Sequence, residues 1–205
     1  MTRKLQLGLK RALDMVLAFV GLLMLLPVFV LIGISIWLDS PGPVLFRLRA
    51  AGCGGRAFDQ WKLRTMVKDA RQKAHPFETF ATDPRITRVG RFLRRWSLDE
   101  LPQLWNVLRG EMSIVGPRPN FIEIAARYPP FEARRLLMRP GLTGLAQMQG
   151  RNLVPWPQRV ALDIAYIEHY SLWLDLKILV ATIPVWFRGK GLYGEDGRVR
   201  MHDLA

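Results

Sequence analysis

A single cysteine in 205 residues, Cys53, leaves no internal disulfide, which excludes the small secreted folds that depend on such cross-links. Histidine is scarce too: His75, His169 and His202 are scattered, and no Cys/His spacing suits zinc. No G-x-x-x-x-G-K-[ST] run is present, so a P-loop is excluded. No Ser/His/Asp order can be read, and no internal repeat or low-complexity stretch stands out. Acid is in short supply, with 17 Asp+Glu against 30 Lys+Arg and a formal net charge of +13. So basic a chain seeks anions, whether nucleic acid, lipid head groups or phosphorylated substrates. Charge alone does not choose among them. Cys53 lies in a Gly-rich turn with no His near it in sequence, and reads as a turn residue rather than a nucleophile.

Charge is missing altogether from Met15 to Leu38, MVLAFVGLLMLLPVFVLIGISIWL. The run is long enough for a bilayer core, which takes about 20 residues. It is too long for a signal peptide, and no small-residue cleavage site follows. Arg3, Lys4, Lys10 and Arg11 precede it; Arg47, Arg49, Arg56, Lys62 and Arg64 follow. Basic residues mark the cytoplasmic side, so a single crossing frustrates the rule and a segment that enters and returns on one face satisfies it. Pro27, near the middle, can bend a helix, yet Pro is also tolerated in spanning helices. At this level both arrangements stay open.

Beyond the apolar run, residues 44–65 read as two strands joined by a Gly-rich turn. Residues 52–57 fit G-x-G-x-x-A, but no helix follows directly, so a hairpin is expected rather than a dinucleotide loop. Residues 66–80 read as helical or irregular. Residues 86–96, ITRVGRFLRRW, form a basic amphipathic helix suited to a membrane surface. A short helix is expected over 102–109, opened by Pro102, with further helices at 157–170 and 173–187. Asp175 and Lys177 make the last of these an interfacial or packing helix rather than a second crossing. A loose tail is expected from Gly189.

Ser97-Leu98-Asp99-Glu100 carries the chemistry. It can be read as a helix capping box. Pro102 would then lie beyond the first turn, where its missing N–H costs a bond. If Pro102 opens the helix instead, the two carboxylates precede it and are free for other work. Adjacent carboxylates are poorly placed for a glycosidase pair. They suit a metal ion and a phosphoryl group, one binding Mg2+ while the other attacks phosphorus. Phosphoryl chemistry also needs cations around the transferring group. Lys62, Arg64, Arg94 and Arg118 are the candidates, Arg118 being held between Pro117 and Pro119.

These residues sit in long motifs: Lys10-Arg11-x-x-Asp14, Ser40-Pro41-Gly42-Pro43-Val44, WKLRTM at 61–66, DPRITRVGRFLRRWSLDELPQLWNVLRGEMSIVGPRP at 83–119, RPGLTGLAQMQGRN at 139–152 and SLWLDLKIL at 171–179. Together they closely resemble the bacterial sugar transferase family, the monotopic phosphoglycosyl transferases that start glycan assembly on polyprenyl phosphate. The chain departs from the family pattern in two places. Leu26 stands before Pro27 where Ser is common, and the first hairpin strand, Phe46-Arg47-Leu48-Arg49-Ala50, lacks a Gln.

The resemblance implies a mainly α fold of the α/β type. It implies a re-entrant membrane helix-bend-helix over residues 1–40, a cytoplasmic catalytic domain over 41–188 with a short β-hairpin and interfacial helices, and a tail over 189–205. It makes Asp99 a nucleophile toward the β-phosphate of a UDP-sugar, with UMP released and a phosphosugar-aspartyl enzyme formed. Glu100 is the Mg2+ partner, although adjacent carboxylates could share both duties and both are expected ligands. Lys62, Arg94, Arg118 and Asp175 line the phosphate and nucleotide site. The expected partners are a UDP-sugar, polyprenyl phosphate, lipids of the bacterial inner membrane and a second copy in a homodimer. No nucleic acid is expected; the rival reading is a membrane-tethered nucleic-acid-binding protein without catalysis.

Overall fold

A computed structural model describes residues 2–68, 70, 78–188, 191, 193–194 and 198–200. His75, His202, most of the expected tail and the middle of the 66–80 segment lie outside them. The chain begins with α1 (Arg3–Asp39), then forms β1 (Leu45–Ala51), β2 (Ala57–Leu63), β3 (Glu78–Phe80), α2 (Arg88–Arg95), α3 (Gln103–Arg109) and β4 (Ser113–Val115). It continues through α4 (Ile122–Ala125), α5 (Pro130–Ala133), β5 (Gly141–Thr143), α6 (Leu145–Gln149), α7 (Trp156–Glu168), α8 (Leu172–Arg188) and β6 (Arg198–Arg200). The fold is mainly helical, with three two-stranded sheets among the described residues.

The hairpin expected at 44–65 is β1–β2, antiparallel from Leu45↔Leu63 to Ala51↔Ala57. Gly54 (φ 66°) and Gly55 (φ 73°) close its turn in the left-handed region that glycine tolerates. Exposed Cys53 sits in that turn. β4 and β5 pair in parallel. β6, within the segment expected to be a loose tail, pairs with β3.

α1 is helical from Arg3 to Asp39 with Pro27 inside it, over the span where the helix-bend-helix is expected. At 37 residues it is long and apolar enough to cross a membrane. One face of it is sewn to the rest of the chain. Leu7 packs on the cluster of Val115, Tyr166 and Ile178. Ala18, Leu22 and Leu25 join Phe58, Leu104 and Val107, and Ile32 and Ile36 join Leu63 and Leu93. The other faces are bare: Leu13, Val16, Val20, Leu23, Met24, Leu31, Ile34 and Trp37 are all exposed. An apolar surface that large is stable only against lipid or another apolar partner.

Polar groups fix the register of that docking. Arg11 donates to the carbonyls of Val107 (2.5 Å) and Leu108 (2.8 Å), which lack partners inside α3. Asp14 accepts from Ser113 Oγ (2.8 Å) and the Ile114 amide (2.9 Å). At the far end, Asp39 accepts from the Val89 amide at the start of α2 (2.9 Å), where a helix favours negative charge. Removing the Asp14 acceptor orphans a buried hydroxyl and an amide, a cost of about 1–3 kcal/mol. Asp14→Ala should therefore melt roughly 2–10 °C lower, as read by thermal unfolding in detergent; an unchanged melt would separate this contact from the docking of α1.

Candidate functional site

α2 delivers the chain to the site by a close approach. A Cβ on Gly90 would lie 2.1 Å from the Thr65 carbonyl oxygen, so only glycine lets the helix pack here. The approach lets Arg94 Nε donate to Thr65 Oγ1 (2.8 Å). After α2 the backbone reverses through Ser97 at φ 53°, and Leu98–Glu100 form a single 3-10 turn before Pro102 leads into α3. Ser97 caps nothing, so the capping-box reading fails. Its Oγ accepts instead from Arg151 Nη2 (2.5 Å).

The two adjacent carboxylates end in different environments. Lys62, from β2, donates to Glu100 Oε1 at 2.8 Å. Arg118 grips both Glu100 oxygens, at 2.7 and 3.2 Å. Its loop is held by Gly141 N donating to the Pro117 carbonyl (2.9 Å) and by Arg135 Nη2 donating to the Arg118 carbonyl (3.1 Å). Burial opposes ionisation of Glu100, but Arg118 and Lys62 outweigh it and hold the carboxyl well below its usual range. Asp99 accepts no hydrogen bond among the described residues. Burial pushes its carboxyl up and Glu100 adds to the push, against Lys62, Arg94 and Arg118. One carboxylate is thus clamped and the other is left bare and destabilised.

Both line a cavity of about 500 Å3, together with Lys62, Arg94 and Arg118. Arg64 borders it, but its fork is committed to the end of α1, donating to the carbonyls of Ser40 (2.5 Å) and Pro41 (2.6 Å). Asp175 is not among the lining residues. It is buried with Lys10 (2.7 Å) and the Tyr166 hydroxyl (2.7 Å), joining α8 to α1 and α7, and so corrects its expected place in the phosphate site. The opposite wall, built from α6, α7 and the turn between them, went unremarked in the sequence. It contributes Gln147, Arg151, Asn152 and Asp163. Arg151 adopts φ 58°. The RPGLTGLAQMQGRN motif contained three of these side chains, Gln147, Arg151 and Asn152, within a few residues of Gly144 and Gly150, the one signal that could have pointed to them.

Asp99 is harder to ionise in the folded protein than in the unfolded chain, so its charge subtracts from stability at neutral pH. Asp99→Asn should raise the melting temperature of the ligand-free protein at pH 7. The gain should shrink as pH falls through the raised folded value and vanish below the unfolded value of about 3.9. A pH series of thermal melts measures this; an Asn variant that melts lower at pH 7 contradicts it.

Residues 5–189 match the family model described as bacterial sugar transferase. The chain is 47% identical over 186 residues to a UDP-glucose:undecaprenyl-phosphate glucose-1-phosphate transferase of Caulobacter vibrioides, covering 85% of this chain and 68% of that protein. It is 44% identical to an undecaprenyl-phosphate glucose phosphotransferase of Komagataeibacter xylinus, covering 85% of this chain and 35% of that protein. With the exopolysaccharide production protein ExoY of Rhizobium meliloti the identity is 40%, over 90% of this chain and 88% of the relative. The chain therefore spans about two thirds of the first relative and about a third of the second.

Proposed function

The chain belongs to the bacterial sugar transferase family, and on that footing we propose that it moves a hexose-1-phosphate from a UDP-sugar to undecaprenyl phosphate, the first membrane step of exopolysaccharide or related glycan assembly. The observation that carries the reading is the split between the paired carboxylates: Glu100 gripped by Lys62 and Arg118, with one acceptor site left on Oε2, and Asp99 without a hydrogen-bond donor among the described residues in the same cationic cavity. An Asp99 oxygen attacks the β-phosphorus of the UDP-sugar. The bond from that phosphorus to the α–β bridging oxygen breaks, and UMP leaves with the bridging oxygen. A phosphate oxygen of the lipid then attacks the same phosphorus and breaks its bond to Asp99, giving undecaprenyl diphosphosugar and restoring the carboxylate. Arg94, Arg118 and Lys62 hold the charge that moves across the phosphoryl group.

Magnesium fits this site only in company with the diphosphate. Among the described residues no group of three or more His, Cys, Asp or Glu side chains could hold a metal. Mg2+ is, however, commonly bound through one or two carboxylates plus substrate phosphates. Asp99 has no competing donor and would offer the first ligand; Glu100 would offer the second. Bound there, the ion would neutralise diphosphate charge and favour departure of UMP.

Membrane placement follows from α1. Its bare faces call for lipid, yet Gln6 to Asp14 and Ile36 to Asp39 both dock on the same domain. That supports a helix whose two ends stay on one face of the inner membrane, the cytoplasmic face where UDP-sugars are found.

Purified protein should release UMP from a UDP-hexose only with undecaprenyl phosphate or in a single half-turnover, and mass spectrometry should find one phosphohexose on the Asp99 peptide. Asp99→Asn should reduce turnover at least 10³-fold and abolish the adduct, whereas full turnover in that variant would remove Asp99 as nucleophile. For the topology, with Cys53 replaced by Ser, single cysteines at Leu5 and Trp37 should react with an impermeant maleimide from the same side of sealed vesicles. Labelling from opposite sides would establish a crossing.

A further inference from the structure

The α6–α7 wall of the cavity has an unusual polar balance. Gln147 is 5% exposed and Asp163 is 1% exposed. Both amide atoms of Gln147, Asp163 Oδ1 and Arg151 Nη1 are buried with no hydrogen-bond partner among the described residues. Leaving buried polar atoms unpaired is costly, and they rarely cluster without a reason. All three residues line the cavity that holds Asp99.

Their placement is built rather than accidental. A Cβ on Gly144 would lie 2.9 Å from Gln147 Oε1 and 2.2 Å from the Gly116 carbonyl oxygen, so glycine makes room for the amide. Asp163 has its other oxygen fixed by Arg135 Nε at 2.8 Å, and Arg135 lies 4.7 Å from the centre of the Trp156 ring. The free oxygen is therefore held by a rigid stack.

Counting donors and acceptors identifies the ligand chemistry. Gln147 Oε1 and Asp163 Oδ1 each need a donor; Gln147 Nε2 and Arg151 Nη1 each need an acceptor. A phosphate offers no donor. The uracil ring offers one N–H beyond its glycosidic nitrogen. Adjacent hydroxyls offer a donor and an acceptor on every oxygen. We infer that Gln147, with Asp163 and Arg151, reads the hydroxyls of the transferred hexose and sets which UDP-sugar is accepted. The inference rests on the proposed function; the ribose of the nucleotide and ordered water are the other sources of the same chemistry, the first read by a loss of UMP affinity and the second by unchanged kinetics.

Gln147→Met keeps the length of the side chain and removes its polar atoms. Steady-state UMP release from UDP-glucose and UDP-galactose, inhibition by UMP, and thermal melting of the ligand-free protein are measured for wild type and variant. The expected result has three parts. The kcat/KM for the preferred hexose falls about tenfold or more, and the preference between the two 4-epimers shrinks toward unity. The UMP inhibition constant stays within twofold. The variant melts at or above the wild-type temperature, since an unpaired buried amide has been removed. A matching loss of UMP affinity assigns Gln147 to the nucleotide and overturns the sugar assignment. Unchanged kinetics overturn it too, and a lower melting temperature shows a structural role instead. Wild-type protein that releases no UMP from any UDP-hexose defeats the proposed function itself, a result distinct from an active wild type with an indifferent variant.

Discussion

Glu100 is the anion on which the site is assembled. Lys62 comes from a hairpin, Arg118 from a loop between two prolines and Glu100 from a one-turn connection. Three charge-assisted hydrogen bonds draw them together. Such bonds are about twice as strong as neutral ones, and the Arg–carboxylate fork fixes direction as well as distance. The consequence for Asp99 follows from adjacency. Its neighbour takes Lys62 and Arg118, and Asp99 stays in a cationic cavity without a hydrogen-bond partner among the described residues. A carboxylate that is surrounded by positive charge but not bonded to it keeps its lone pairs free, as the proposed attack on phosphorus requires.

The long helix α1 is the second constraint, and it answers to two solvents. One face carries Lys10, Arg11, Asp14 and small or apolar side chains matched to the domain; the rest is Leu, Val, Ile, Phe and Trp turned outward. The polar residues on the docked face do what apolar packing cannot, since hydrophobic contact alone leaves a helix free to slide or rotate. Asp14 and Arg11 meet named backbone groups, so the register has one solution. Lys10 is buried on the same face, and removing one member of its buried pair with Asp175 would leave an uncompensated charge. The cavity that holds Asp99 is thereby held at a fixed height relative to the exposed apolar faces of α1, the geometry the proposed reaction needs, with one substrate soluble and the other a lipid phosphate.

Most of the scaffold was legible from local pattern. The hairpin was visible because two strand-like runs flank a glycine cluster, and the helices α2, α3, α7 and α8 fell where periodicity and Pro102 put them. The errors came where partners distant in sequence decide. Ser97 looks like a cap by spacing, but its backbone is left-handed and its hydroxyl serves Arg151, 54 residues away. Arg64 lies two residues beyond Lys62, just past the end of β2, and yet is drawn to the carbonyls of Ser40 and Pro41 that follow α1. Asp175 lies in a recognisable motif, but its partner is Lys10, 165 residues away.

Sequence by itself determined the chemistry: an excess of cations, adjacent carboxylates ahead of a proline, and an uncharged stretch long enough for a bilayer. Each is a property of residue type and short spacing, which survive without coordinates. Tertiary structure decided how the two carboxylates differ, which arginines face the cavity, and that Gln147, Arg151 and Asp163 form its far wall. Those depend on which buried polar atoms find partners, and partners are assigned only when distant segments close on one another.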